Sequence, residues 1–161
     1  MESSKESILV AVVMGSPSDK PIMAECTRHL EYFGISTEEF ILSAHRTPDE
    51  TAQFAKGARD NGIKVIIAGA GMAAHLPGFL AAHTTLPVIG VPLPGSELNG
   101  VDALYSMVQM PSGVPVATMA IGKAGAINAA VFAVKILAVA DDNINKRLKE
   151  FNQRGCKLPK P

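Results

Sequence analysis

Seven consecutive apolar residues, Ile8 to Met14, open the patterned part of the chain. A run apolar at every position cannot turn one face to water, so it predicts a strand buried on both sides. Gly15-Ser16-Pro17-Ser18-Asp19 follows. There Ser16 fits a helix N-cap, Pro17 the first helical position and Asp19 the third, much like a capping box. Ile22, Cys26, Leu30 and Phe33 then recur at helical spacing, and Gly34 supplies the stop. Ile35 to Leu42 predicts a second strand, less apolar and therefore nearer an edge. Thr47 reads as an N-cap, Pro48 as the first helical residue and Glu50 as the capping-box partner of a helix running through Phe54, Ala55 and Ala58 to Asn61-Gly62.

Ile63 to Ala68 predicts a third strand, apolar but for Lys64, which leads into the small-residue loop Gly69 to His75. The same reading places a short helix over Leu76 to His83, a fourth strand over Pro87 to Val91 and a Pro/Gly-rich loop over Pro92 to Asn99. A short helix over Val101 to Gln109 and a fifth strand over Val114 to Ile121 follow. Lys123 to Ala140 predicts a long apolar helix, Asp141-Asp142 the restart of a charged helix to Gln153, and Gly155 to Pro161 a loose tail. Strands too apolar to face water, alternating with helices, predict an α/β fold with a doubly wound parallel sheet. One domain spans residues 1–161, with a core over about 8–140 and a C-terminal helix and tail over 141–161.

Composition adds that 47% of the chain is apolar but only 5% aromatic, with no Trp, so Ala, Val, Ile and Gly carry the core and elements can approach closely. The stretch Ala129-Ala130-Val131-Phe132-Ala133-Val134 is apolar on nearly every helical face. It needs cover on more than one side, part of it from another subunit. Fifteen basic side chains balance fifteen acidic ones, which leaves no global basic field for nucleic acid. Lys146, Arg147, Lys149, Arg154 and Lys157 alternate with Glu150 and Asn, as on a solvated helix face. Ala124 to Ala140 is interrupted by Asn128 and Lys135 and is short for a membrane span. The polar start, Met1 to Ser7, with Glu2 and Glu6, is unlike a signal peptide. Cys26 and Cys156 show neither metal-ligand spacing nor a disulfide framework, and a reducing cytosol is the simplest compartment.

In a doubly wound sheet, ligands bind beyond the carboxyl ends of the strands. The three most unusual loops all fall there. Gly15 to Asp19 offers backbone N–H groups and the hydroxyls of Ser16 and Ser18, which suit phosphate. Asp19 would repel phosphate and is better used on ribose hydroxyls, unless it and Ser16 only cap the helix. Ser43-Ala44-His45-Arg46 sets an imidazole and a forked cation at a helix start, where a phosphate is favoured and His45 could move a proton. Gly69-Ala70-Gly71-Met72-Ala73-Ala74 formally matches a dinucleotide fingerprint, but it follows the third strand and no acid stands about twenty residues on at a strand end. It reads better as a loop of minimal side chains against which a flat ligand lies. His75 could donate to a ligand or satisfy a loop carbonyl. His29, mid-helix, reads as a surface or interface residue, and His83 as a helix-end cation. The four histidines lack the pairing of a metal site.

Together these residues resemble a known family. Gly15-Ser16-Pro17-Ser18-Asp19, Ser43-Ala44-His45-Arg46-Thr47-Pro48, Ala73-Ala74-His75-Leu76-Pro77-Gly78 and Leu86 to Pro92 are similar to motifs of the 5-(carboxyamino)imidazole ribonucleotide mutase family of purine biosynthesis. Gln109 to Thr118 and Ile121 to Ala126 extend the likeness. The resemblance implies a flavodoxin-like three-layer domain, a cytoplasmic homo-octamer, and a small ribonucleotide as ligand, with no nucleic acid or membrane partner. It implies transfer of a carboxylate from an exocyclic nitrogen to ring carbon four without metal, ATP or organic cofactor. His45 would be the catalytic acid and base. Ser16, Ser18, Ser43 and Arg46, with Ala44, would hold phosphate and ribose, and Asp19 the ribose diol. Gly71, Ala73, Ala74 and Leu76 would wall a dry pocket for carbon dioxide, and His75 would orient the carboxylate or the ring. Lys20 stands where the family commonly has Trp, and Met72 where it has Gly. A second branch, which carboxylates the amine directly with free carbon dioxide, commonly carries Lys at the position of Arg46.

Overall fold

Strand β1, Val10–Met14, is fully buried at every position and lies inside a five-stranded parallel sheet. The computed structural model describes residues 9–159, so the polar start, Ile8 of the expected first strand and the last two tail residues lie outside the described residues. The other strands are β2 (Thr37–Ile41), β3 (Val65–Gly71), β4 (Val88–Leu93) and β5 (Ala117–Thr118). Their order is β2-β1-β3-β4-β5, and β2, the more polar strand, lies at one edge as its pattern predicts. Among the described residues six α-helices connect and cover the strands: α1 (Lys20–Tyr32), α2 (Pro48–Gly57), α3 (Leu76–His83), α4 (Val101–Val108), α5 (Lys123–Ala138) and α6 (Asp142–Gln153).

Alternation along the strands divides the core into two halves. Val10, Val12 and Met14 point to α1, α5 and α6, where they meet Met23, Leu30, Ala130 and Phe151. Ala11 and Val13 point the other way, to α2, α3 and α4, and meet Ala55, Leu80 and Met107. The result is the three-layer, doubly wound α/β architecture with flavodoxin-like strand order. The small side chains of α5 (Ala126, Ala129, Ala130, Ala133) let it lie close to the sheet and to α1. Much of the cover that the apolar helix needs thus comes from its own chain, including α6. Phe132 and Val139 stay exposed. Helix α6 is anchored where Arg147 donates to the carbonyl of Phe33 at 2.7 Å, and a side chain at Gly34 would collide with that guanidinium. Among the described residues no helix is long and apolar enough to cross a membrane.

Four expectations need correction. Gly69, Ala70 and Gly71 extend β3, so the loop begins only at Met72. Pro92 and Leu93 likewise belong to β4. The fifth strand shrinks to Ala117–Thr118, because Pro115 has no N–H for a ladder and the chain leaves a turn at Gly113. His29 is not on the surface: it is buried, and its Nδ1 donates to the Glu25 carbonyl at 2.7 Å, one helical turn back.

Candidate active site

The carboxyl ends of β1, β2, β3 and β4 open into one cavity of about 580 Å³, in the range of small-molecule sites. Every site residue named from the motifs lines it. Ser16, Ser18 and Asp19 come from the loop after β1; Ser43, Ala44, His45 and Arg46 from the loop after β2; Gly71, Ala73, Ala74, His75 and Leu76 from the end of β3 and the start of α3.

The first loop closes on itself. Asp19 Oδ2 accepts the Ser16 N–H at 3.0 Å, while Ser16 Oγ accepts the Ser18 N–H at 3.3 Å and the Ser18 hydroxyl at 2.9 Å. The expected capping box is present, but it caps a 3-10 turn, Pro17–Asp19, ahead of α1. Burial pushes the Asp19 carboxyl above its ordinary value, against the pull of the Ser16 and Gly15 N–H groups. Lys20 turns away to Glu39 Oε2, 3.0 Å off on the edge strand.

The second loop is a tight knot between Ser43 and Thr47. The Thr47 N–H and hydroxyl both donate to the Ser43 carbonyl, at 2.9 and 3.2 Å, and Thr47 Oγ1 accepts the Ser43 N–H at 3.1 Å. Ser43 Oγ accepts the Arg46 N–H at 3.2 Å. Thr47 therefore does not form the expected capping box with Glu50: its side chain makes no cap bond to α2, because the orphan groups of its own turn are closer. The knot still serves the site. It pins both ends of a short turn and leaves His45 and Arg46 exposed at its apex. Among the described residues Arg46 has no ion-pair partner, so its guanidinium is available to an anion.

The third loop turns through two left-handed residues, Met72 (φ 56°) and Ala74 (φ 41°), with the Ala74 N–H bonded to the Gly71 carbonyl at 3.0 Å. This brings His75 to the mouth of α3, where its Nδ1 lies 2.6 Å from His45 Nε2. The two loops rise from β2 and β3, the strands on either side of β1, so the imidazoles meet across the strand between them. His83 stands apart: its Nδ1 donates to the Phe79 carbonyl at 2.8 Å.

Gly15, Ala70, Pro94 and Gly95 also line the cavity. Pro94 and Gly95 went unnamed in the sequence because their loop has no chemistry-bearing side chain at that point. Its place after the fourth strand was the available signal. In the isolated chain the cleft is open: His45, Arg46, Met72, Ala73 and His75 are exposed. Enclosure must come from bound ligand or from a neighbouring surface.

A family model described as AIR carboxylase matches residues 9–157. The chain is 54% identical over 154 residues to N5-carboxyaminoimidazole ribonucleotide mutase of Haemophilus influenzae, covering 94% of each chain. To the mutase of Escherichia coli K12 it is 50% identical over 153 residues, covering 95% of this chain and 90% of that one. Among solved structures, Treponema denticola PurE superposes with a TM-score of 0.81 at 30% identity, covering 92% of this chain and 91% of the other.

Proposed function

The chain belongs to the AIR carboxylase family, and from that premise we propose that it is a mutase moving the carboxylate of N5-carboxyaminoimidazole ribonucleotide from the exocyclic nitrogen to ring carbon four. The observation that carries this reading is the convergence on one cavity of all twelve candidate site residues, in a chain about half identical to proteins named for the reaction.

The chemistry asks for few groups. His45 gives a proton to the exocyclic nitrogen, and the carbon–nitrogen bond of the carbamate breaks to release carbon dioxide. Ring carbon four then attacks the trapped gas, and its hydrogen leaves to His45. One proton is lent and one returned, so a single imidazole closes the cycle. Arg46, with Ser16, Ser18 and Ser43, holds phosphate and ribose, and Asp19 takes the ribose diol. Gly71, Ala73, Ala74 and Leu76 present little more than backbone and methyl groups, which suits a flat heterocycle and a small apolar gas. His75 faces the reacting carboxylate or the ring.

Retention of carbon dioxide requires a cavity closed to water, and the isolated chain leaves it open. We therefore also propose a homo-octamer, working in the cytoplasm, in which neighbouring copies cover the exposed apolar residues Leu98, Tyr105 and Val139. Light scattering on the purified protein tests that assembly. The decisive assay gives the protein the carbamate substrate without bicarbonate. Formation of the carbon-carboxylated product is expected. Its absence, with activity on the free amine plus bicarbonate, would assign the chain to direct carboxylation.

A further inference from the structure

The separation of 2.6 Å between His45 Nε2 and His75 Nδ1 constrains where hydrogens lie. Two bare nitrogens at that distance would repel, and so would two N–H groups. One proton must sit between the rings, donated by one and accepted by the other. The rings meet edge-on, at 82° with centroids 4.7 Å apart, so the contact runs through nitrogen and not through stacked faces.

Among the described residues no carboxylate is bonded to either ring. A carboxylate beside His45 would hold its proton by charge. A neutral imidazole holds it by one hydrogen bond, which another acceptor of similar strength can replace. Resting on the mutase reading above, we propose that His75 is a positioning residue that accepts the His45 Nε2–H between turnovers and yields it to the exocyclic nitrogen of the substrate.

The direction of the bond follows from the proton count. To act as an acid and stay a stable ring afterwards, His45 must carry hydrogen on both nitrogens and spend the one on Nε2. His75 Nδ1 must then be the acceptor, with the His75 hydrogen on its Nε2. Once the His45 proton has passed to the substrate nitrogen, the bare Nε2 takes the hydrogen of ring carbon four. When product leaves, it bonds to His75 again. The local backbone fits a residue set in place for such a role. Left-handed Met72 and Ala74 each hold a conformation that L side chains resist, and the His75 carbonyl is tied to the Phe79 N–H at 2.9 Å.

The test uses the full-length enzyme labelled with 15N-histidine and free of substrate, with His45→Asn to identify the signals. In His75→Leu the His45 Nε2 resonance should move, and kcat should fall about tenfold, as for loss of one hydrogen bond, with KM changed much less. In His75→Asn the side-chain oxygen stands where Nδ1 stood, and both signal and kcat should recover most of the way. A His45 resonance in His75→Leu coincident with the parent, or a parental kcat in that variant, would overturn the pairing. If the parent itself makes no carbon-carboxylated product while the His45 signal still responds to His75→Leu, the reaction assignment falls and the ring contact stands.

Discussion

Asp19 closes on Ser16 through a hydrogen bond of 3.0 Å, so a carboxylate raised by burial secures the first loop of the cavity. Asp19→Asn keeps an acceptor for the Ser16 N–H but removes the charge proposed for the ribose diol. Ribonucleotide affinity should fall about tenfold or more, as for loss of a hydrogen bond to a charged group, measured by calorimetry. The folded-state carboxyl lies above its ordinary 3.8, so its stabilising contribution is present below that value and is lost as pH rises through the raised one. Melting curves should therefore show Asp19→Asn gaining on the parent between acid and neutral pH.

Glu25 behaves in the opposite sense. A hydrogen bond from Lys123, at 2.9 Å, and the nearby charge of Arg28 hold its carboxyl below the ordinary 4.5, against the effect of burial. This contribution is present above that ordinary value and is lost as pH falls through the lowered one. Lys123→Ala should cost about 0.2–1 kcal/mol near neutral pH, the range of exposed pairs, since the lysine is 67% exposed. The difference from the parent in denaturation midpoint should vanish in acid.

His45→Asn should lower turnover by about 10²–10⁴-fold, with ligand affinity changed far less, because the role proposed for the residue is to move protons and not to anchor the ligand. Turnover within a few-fold of the parent would remove His45 from the mechanism.

Arg46 carries the only guanidinium among the cavity-lining residues. Arg46→Ala should weaken ribonucleotide binding by about tenfold to a hundredfold, as for loss of a charge-assisted hydrogen bond, and raise KM more than it lowers kcat. Unchanged affinity would refute a phosphate role.

Met72 sits at φ 56° with 63% of its surface exposed, an apolar side chain on a backbone better suited to glycine. Met72→Gly should retain or improve the rate. Relief of the left-handed strain, set against the added freedom of the unfolded chain, should raise stability by at most about 1 kcal/mol, read from chemical denaturation. A collapse in rate would show that the side chain takes part in closing the cavity.

Much of this layout was legible in the residues. The unbroken apolar run before Gly15 and the weaker pattern of Thr37–Ile41 fixed a buried strand and an edge strand, because burial on both faces leaves no room for polar alternation. The loops that bear His45 and Ser16 were legible because turn chemistry is local. What was not legible depends on partners distant in sequence. Gly69-Ala70-Gly71 carries little strand propensity, yet it pairs with Val91-Pro92-Leu93, and a side chain at Gly71 would press on the Leu93 carbonyl at 3.2 Å. Thr47 had a plausible partner in Glu50 by spacing and a better one in Ser43 by geometry. The contact of His45 with His75 spans thirty positions and exists only because β2 and β3 flank β1.

That flanking arrangement makes the pair a gauge of the whole sheet. Met14 stands in register with Ile41 on one side and Gly69 on the other. A slip of either neighbour by a single residue would carry one imidazole roughly 3.3 Å along its strand axis, beyond the reach of the other. Catalytic competence should thus vanish at the first loosening of this seam, while helix content and gross shape are still intact.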